Sequence, residues 1–448
     1  MELAFGTSAF DRARGNFPLV IVLNMFAEET ATEGKISLLS RPGLAASGIE
    51  MGEGPVRGLF QADGVLGNNV YGVSGTHFYE GSELVGSLSG DDHVSMAGYE
   101  DYLFITAGTT LYGYDGLALS DITFPDGADV LKVATGASRL LAIRGDTQKF
   151  YWTSPLGTSI DALSFASAEN SPDRLLDLLY VGDQAILFGA ENIEFWPATD
   201  NDDLPFAPLI GRVYPVGVKA TGCAVKFNSS FAWITNRNEI CITDPQNVIS
   251  GPGLETKISE SESVKLWTFL LEGTEFLTVT LDTETWVYHP RSGSWSQFET
   301  YEEDNWITQT SAAGYFGSTL DGKLLVWSDD QYDDEVIVER RFRAWAPLDS
   351  GAEVIDNLIV RCNPGQTPFL SGTYADPTIS MRSSRDGGNN WTPWKGRSLG
   401  IQGNFKERTV WRSCGMFTYP GMLFEFRVTD PVPFRVSNVL VNEPYGGR

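Results

Sequence analysis

Apolar and polar positions alternate along much of this chain in short paired runs, each pair split by a turn residue. The stretch DYLFITAGTTLYGYDG, residues 101–116, reads as two strands around Gly108, and DQAILFGAENIEFWP, residues 183–197, reads the same way around Gly189. Five further copies turn at Gly75, Gly145, Asn236, Asp282 and Asp321. Successive turn positions lie 33, 37, 44, 47, 46 and 39 residues apart. That spacing suits four-stranded propeller blades, and Gly, Asn or Asp at each turn is expected to supply a positive φ. Aromatic residues partway along the second strands (Tyr112, Phe150, Phe195, Trp286 and Trp327) are expected to pack between neighbouring blades.

The pattern predicts an all-β protein: a β-propeller of six or seven blades over residues 55–346, with a β-sandwich array as the rival arrangement. No comparable run of helical periodicity stands out. Over residues 347–448 the repeat changes. EVIDNLIVRCN, TISMRSS, RTVWRSCG, LFEFRVT and FRVSNVLVN predict a separate antiparallel β-sandwich of about 100 residues. Residues 1–54 form a distinct N-terminal segment. Its apolar run FPLVIVLNMFA begins late for a signal peptide and is broken by Asn24, and its alternation suits a strand.

Composition narrows the chemistry. The chain has 448 residues, 42% of them apolar, and a formal net charge of −26. Such a surface repels polyanions, and no basic run suggests a grip on nucleic acid. Four separated cysteines fit neither a disulfide framework nor a zinc ribbon. Three scattered histidines (His77, His93, His289) leave little material for a His-based metal site or a Ser-His-Asp triad, so no metal or other cofactor is expected. No run is long and apolar enough for a membrane span.

One motif is specific. SSRDGGNNW, residues 383–391, fits S-x-D-x-G-x-x-W through Ser384, Asp386, Gly388 and Trp391. This Asp-box is best known from sialidases, where it is a turn device: the carboxylate accepts backbone N–H groups, glycines permit a left-handed backbone, and the tryptophan packs beneath. Here it falls once, after the propeller, which argues against a glycosidase. GSTLDGKL, residues 317–324, is a failed P-loop, because Leu324 stands where Ser or Thr must hold magnesium. Three acidic clusters read as solvated channel or interface loops: Asp200, Asp202 and Asp203; Glu302, Glu303 and Asp304; and Asp329, Asp330, Asp333, Asp334 and Glu335. None follows a calcium-loop pattern.

The order and spacing of several segments resemble the packaged-DNA-stabilisation, or tail hub, proteins of short-tailed bacteriophages. They are LNMFAEE and SRPGL near the start, VRGLF and VYGVSGTHFYEGSELVGSLSGDDHVSMA in the first hairpins, and SSRDGGNNW, RSLGIQG, RTVWRSCG and TDPV near the end. Cys414 departs from the larger apolar residue that is common there. The resemblance implies a non-enzymatic virion protein of the tail, made in the host cytoplasm. It further implies a ring, usually hexameric, that docks under the portal's adaptor, extends the DNA channel, helps retain the genome, and carries fibres, spikes or a tail-tip protein. Double-stranded DNA would pass through without specific binding, a role that the acidic composition suits. The N-terminal segment would then belong to the adaptor-docking platform. A sialidase-like propeller glycosidase or glycan-binding protein is the alternative, and a cellular propeller scaffold the third reading.

Overall fold

A computed structural model describes residues 1–9, 20–29, 36–90, 93–168 and 173–443. Each of the seven hairpins read from the sequence forms the middle two strands of a four-stranded antiparallel blade. Six blades are self-contained sheets. The remaining one, sixth in chain order, is the meander Lys265–Leu271, Thr274–Thr280, Thr285–His289 and Ser294–Phe298, and it forms one end of a fifteen-stranded sheet. The seven inner strands begin at Val56, Val94, Val130, Leu175, Ala224, Lys265 and Thr308, and each packs against the next until the last meets the first. The propeller is closed.

Closure comes from the opposite end of the sequence. The strand Gly43–Glu50 pairs antiparallel with Lys323–Ser328, with Leu44 opposite Trp327 and Ala46 opposite Leu325, and becomes the outer strand of the last blade. Residues 1–54 are therefore divided between propeller and sandwich. The aromatic residues on the second strands bridge blades: Phe150 meets Trp196 edge-on at 5.1 Å, Phe195 lies 6.1 Å from Phe231, and Trp327 lies 5.7 Å from Phe269.

The expected turn chemistry holds only in part. Gly75 and Gly108 have φ of 54° and 59°, whereas the positive φ in the third and fifth hairpins falls on Asp146 and Asn238 instead of Gly145 and Asn236. Asp282 works through its side chain, whose carboxylate accepts the N–H groups of Glu262 at 2.7 Å and Ser263 at 2.9 Å. One α-helix among the described residues, Pro252–Glu260, was not anticipated. Its apolar signal is a single i, i+4 pair, Leu254 and Ile258, too short to register as periodicity.

The sandwich begins earlier than residue 347. Arg340–Pro347 pairs along its whole length with Gly421–Val428, and its alternation buries Arg340, Phe342, Ala344 and Ala346. That layer continues through Thr378–Ser384 to Lys395–Ser398. The facing layer holds Thr409–Thr418, Ala352–Cys362 and Arg435–Val441. Phe342 and Phe426 stack at 4.8 Å in the core between them. The N-terminus joins both layers: Glu2 and Leu3 pair with Leu440 and Val439, while Ala4 and Phe5 pair with Trp345 and Ala344.

Propeller and sandwich are continuous. Leu23 pairs in parallel with Gln297 of the sixth blade, and Val22 pairs with Phe342 of the sandwich. One hydrophobic cluster runs from Phe231 and Trp233 in the fifth blade through Trp295 to Trp411 and Phe424 in the sandwich. Residues 17–19 of the apolar N-terminal run lie outside the described residues. Its remainder forms the strands Val22–Leu23 and Met25–Glu29, separated by Asn24 at φ 52°.

Candidate functional site

The Asp-box sits on the hairpin between Thr378–Ser384 and Lys395–Ser398. Ser384 Oγ donates to Asp386 Oδ1 at 2.7 Å and accepts the Gly388 N–H at 2.9 Å. Asp386 Oδ1 also accepts the Asn390 N–H at 2.9 Å, and Oδ2 accepts Asn390 Nδ2 at 2.6 Å. The Asn390 backbone donor, then Ser384, then the Asn390 side chain stabilise the charged form and draw the Asp386 pKa down to about 2. Gly387 and Gly388 take φ of 73° and 102°, where a side chain would be strained. The motif occupies its own acceptors in holding the turn.

Trp391 does more than fill space. Arg382 lies over its ring at 4.6 Å and Arg343 at 5.0 Å. Arg382 also faces Trp394 at 4.6 Å, and Arg427 covers Trp394 at 4.2 Å. The fully buried Glu425 binds Arg382 Nε at 2.7 Å and Arg343 Nε at 2.5 Å, so one carboxylate orders a ladder of guanidinium and indole planes. Sequence reading missed this ladder. Its arginines are split between three strands, and only register brings them together.

The acidic residues separate into two kinds. Asp200, Asp202 and Asp203 are exposed in the fourth blade, with Asp202 reaching Arg139 at 3.3 Å. Glu302, Glu303 and Asp304 form an exposed turn between the sixth and seventh blades, and Asp329 and Asp330 are exposed after the seventh. Glu335 pairs with Lys323 at 3.4 Å. Asp333 is half-buried, and desolvation followed by the neighbouring Asp334 raises its pKa. Asp334 departs from the expected surface loop: it is wholly buried and cannot line a channel.

Asp334 instead anchors the joint of the molecule. Its carboxylate binds Arg41 Nη1 at 2.8 Å and Nη2 at 2.5 Å, and accepts the Leu44 N–H at 3.0 Å and Trp306 Nε1 at 3.3 Å. Arg41 Nε donates to Asn24 Oδ1 at 3.1 Å, and Asn24 Nδ2 reaches the carbonyls of Glu299 at 3.0 Å and Glu339 at 2.8 Å. The guanidinium lies 5.2 Å from the Trp306 ring centre. Asn24 belongs to LNMFAEE and Arg41 to SRPGL. These two N-terminal segments thus meet in one polar knot where the closing strand leaves the sandwich. Among the described residues, no group of three or more His, Cys, Asp or Glu could hold a metal ion.

Family models of a bacteriophage structural protein of the DNA-stabilising type match both parts of this architecture, the closed propeller and the sandwich that the N-terminal strands join. The chain belongs to the bacteriophage P22 Gp10 family: residues 2–312 match its β-propeller and residues 340–442 its β-sandwich. No curated protein sequence matches the chain. Solved structures resemble it distantly. BBS1N in complex with ARL6DN is 11% identical, with 73% of this chain and 98% of that one covered at a TM-score of 0.39. The Cps50 (Swd1) β-propeller domain of Myceliophteria thermophila is 10% identical, with 64% and 99% covered and a TM-score of 0.42. YCF48 from Cyanidioschyzon merolae is 12% identical, with 62% and 96% covered and a TM-score of 0.39. Similarity at this level carries neither function nor partners.

Proposed function

We propose that the chain is the tail hub, or nozzle, of a short-tailed phage: a non-catalytic subunit of a homo-oligomeric ring, a hexamer, below the portal's adaptor. The ring continues the DNA channel, retains packaged DNA, and carries fibres or spikes. The observation that carries this reading is the match of both family domains across nearly the whole chain. The net charge of −26 supports it, since an acidic lumen lets duplex DNA slide without condensing on the wall.

The docking platform in this reading is the sandwich with its N-terminal strands. Val22, Leu23, Met25 and Phe26 are buried within their own chain, so they serve the platform's core and not its contact surface. Contact falls instead to sandwich loops carrying Leu370, Ile401 and Phe405, which are 83%, 57% and 64% exposed. The test is electron microscopy of the purified chain and of its assembly onto DNA-filled, tail-less heads. Sixfold rings and tailed particles are expected, and replacing Leu370 and Phe405 by Glu should leave a folded chain that no longer joins heads. A chain that stays monomeric in the presence of heads, or turnover of sialosides by the purified protein, would overturn the proposal.

A further inference from the structure

The sandwich and the rest of the chain carry charge of opposite sign. Residues 340–442, all of them described, hold thirteen lysines and arginines against eight aspartates and glutamates, a net +5, so the other residues sum to −31. Glu2, Glu28 and Glu29 of the N-terminal strands lower the sandwich's excess without reversing it. The fold gathers much of that positive charge along one edge.

The edge is the strand Thr409–Thr418, which pairs with Ala352–Cys362 on one side. On the other it meets the Asp-box hairpin through side chains. Arg397 Nε donates to the Val410 carbonyl at 2.9 Å, Arg385 Nη2 to the Cys414 carbonyl at 3.3 Å, and Trp411 Nε1 to the Lys395 carbonyl at 2.8 Å. These bonds set Arg385, Lys395 and Arg397 beside the strand, and the turn leading into it adds Lys406 and Arg408; all five are exposed. From Arg408 to the level of Cys414 the row runs for about 20 Å at the rise of a strand. Guanidinium groups on the carbonyls close this edge to a further strand while leaving their charge at the surface.

The neighbouring carboxylates are engaged within the chain. Asp386 holds its own turn, Asp376 accepts Ser398 Oγ at 2.5 Å, Glu407 accepts Asn404 Nδ2 at 2.8 Å, and Glu425 lies buried between Arg343 and Arg382. Asp356 on the paired strand is exposed, and the excess of +5 already includes it. The hairpin behind the row is rigid, because Trp391 and Trp394 are clamped by Arg343, Arg382 and Arg427, so little freedom is lost when it binds.

We infer that this basic row is the face by which one copy of the chain holds an acidic propeller loop of the next copy. The inference rests on the ring proposed above. Copies that each carry −26 repel one another, so a contact between them needs faces of locally opposite sign. The exposed acidic clusters around Asp202, Glu303 and Asp329 all belong to the propeller. A head-to-tail contact of sandwich row on neighbouring propeller pairs opposite signs at every junction of a closed ring. The chain itself supplies the acidic face, and the ring holds it at high effective concentration.

The test compares full-length chains, alone by sedimentation velocity and on tail-less, DNA-filled heads by electron microscopy. Lys395→Glu with Lys406→Glu and Arg408→Glu reverses the row, and should keep the native thermal midpoint while weakening ring formation by about tenfold or more. Arg174→Glu with Arg237→Glu and Arg291→Glu makes the same charge change on the propeller and should leave assembly at the native level. On rings of mixed unlabelled and ¹⁵N-labelled native chains, a carbodiimide should join Lys395 or Lys406 to a propeller carboxylate of a different copy, and molar salt should abolish that link. This measurement uses the unaltered chain, so it decides the matter should the first variant not fold. Native assembly by the first variant, equal loss in both variants, or links confined within single chains would overturn this contact and leave the tail-hub reading intact. A native chain that forms no ring even on heads would remove both. Retention of a short DNA duplex by the native chain, lost in the first variant, would assign the row to nucleic acid and equally overturn the inference.

Discussion

At the residue scale, the buried pair Arg41–Asp334 is the most exacting feature, since both side chains are wholly shielded from solvent. Asp334→Ala would leave Arg41 unpaired beside Arg340, whose pKa is already lowered to about 9 by burial and then by Arg41. A loss of about 3–5 kcal/mol is expected in urea unfolding. Arg41→Met combined with Asp334→Leu should recover much of it, because the remaining charge is then removed with its partner. Asp386 behaves differently, because it lies in a surface turn and is only partly shielded. Its folded pKa, near 2, lies below the ordinary carboxylate value of about 3.9, so its contribution is complete above the higher value and vanishes as pH falls through the lower. The midpoint gap between the native chain and Asp386→Ala should therefore be constant from pH 7 to about 4 and shrink below that.

At the scale of elements, the closing strand is held by space as well as by its ladder. A Cβ on Gly43 would lie 2.0 Å from the carbonyl oxygen of Asp333, so Gly43→Ala must displace backbone. A loss of about 1–3 kcal/mol is expected. Proteolysis should then cut first near residues 43–50, and cleavage elsewhere with that strand still protected would contradict the assignment. The hairpins were legible because both of their strands are contiguous in sequence, as around Gly108 and Gly189. The closing strand was not, because Gly43–Glu50 finds Lys323–Ser328 across more than half the chain and its own alternation names no partner. Asp334 was misread for a related reason: an acidic run looks solvated until the distant Arg41 is known to meet it. The Asp-box was legible as a turn, but its tryptophan's arginine neighbours were not.

For the whole molecule, the shared core from Trp233 to Phe424 implies that propeller and sandwich unfold together. Differential scanning calorimetry should show one dominant transition, with two well-separated peaks counting against that coupling. An isolated fragment of residues 340–442 lacks Glu2–Phe5 between its layers and Ile36–Ser40 beside Arg435–Val441. It should fail to give cooperative unfolding by circular dichroism unless those strands are supplied.

The route by which Gly43–Glu50 reaches its blade also sets a timetable for synthesis. This strand leaves the ribosome before any blade exists, yet its partner Lys323–Ser328 emerges nearly 280 residues later. At about 5–20 residues per second, the strand waits for some tens of seconds with unsatisfied edges. The strand Glu2–Phe5 waits longer still, for Arg435–Val441. A nascent chain of this kind carries these unpaired strands as open adhesive edges, and a product truncated before their partners should seed aggregation instead of folding as a smaller protein. A premature stop anywhere before the last blade should therefore remove soluble protein altogether, a dependence on that distant blade that a beads-on-a-string chain would not have.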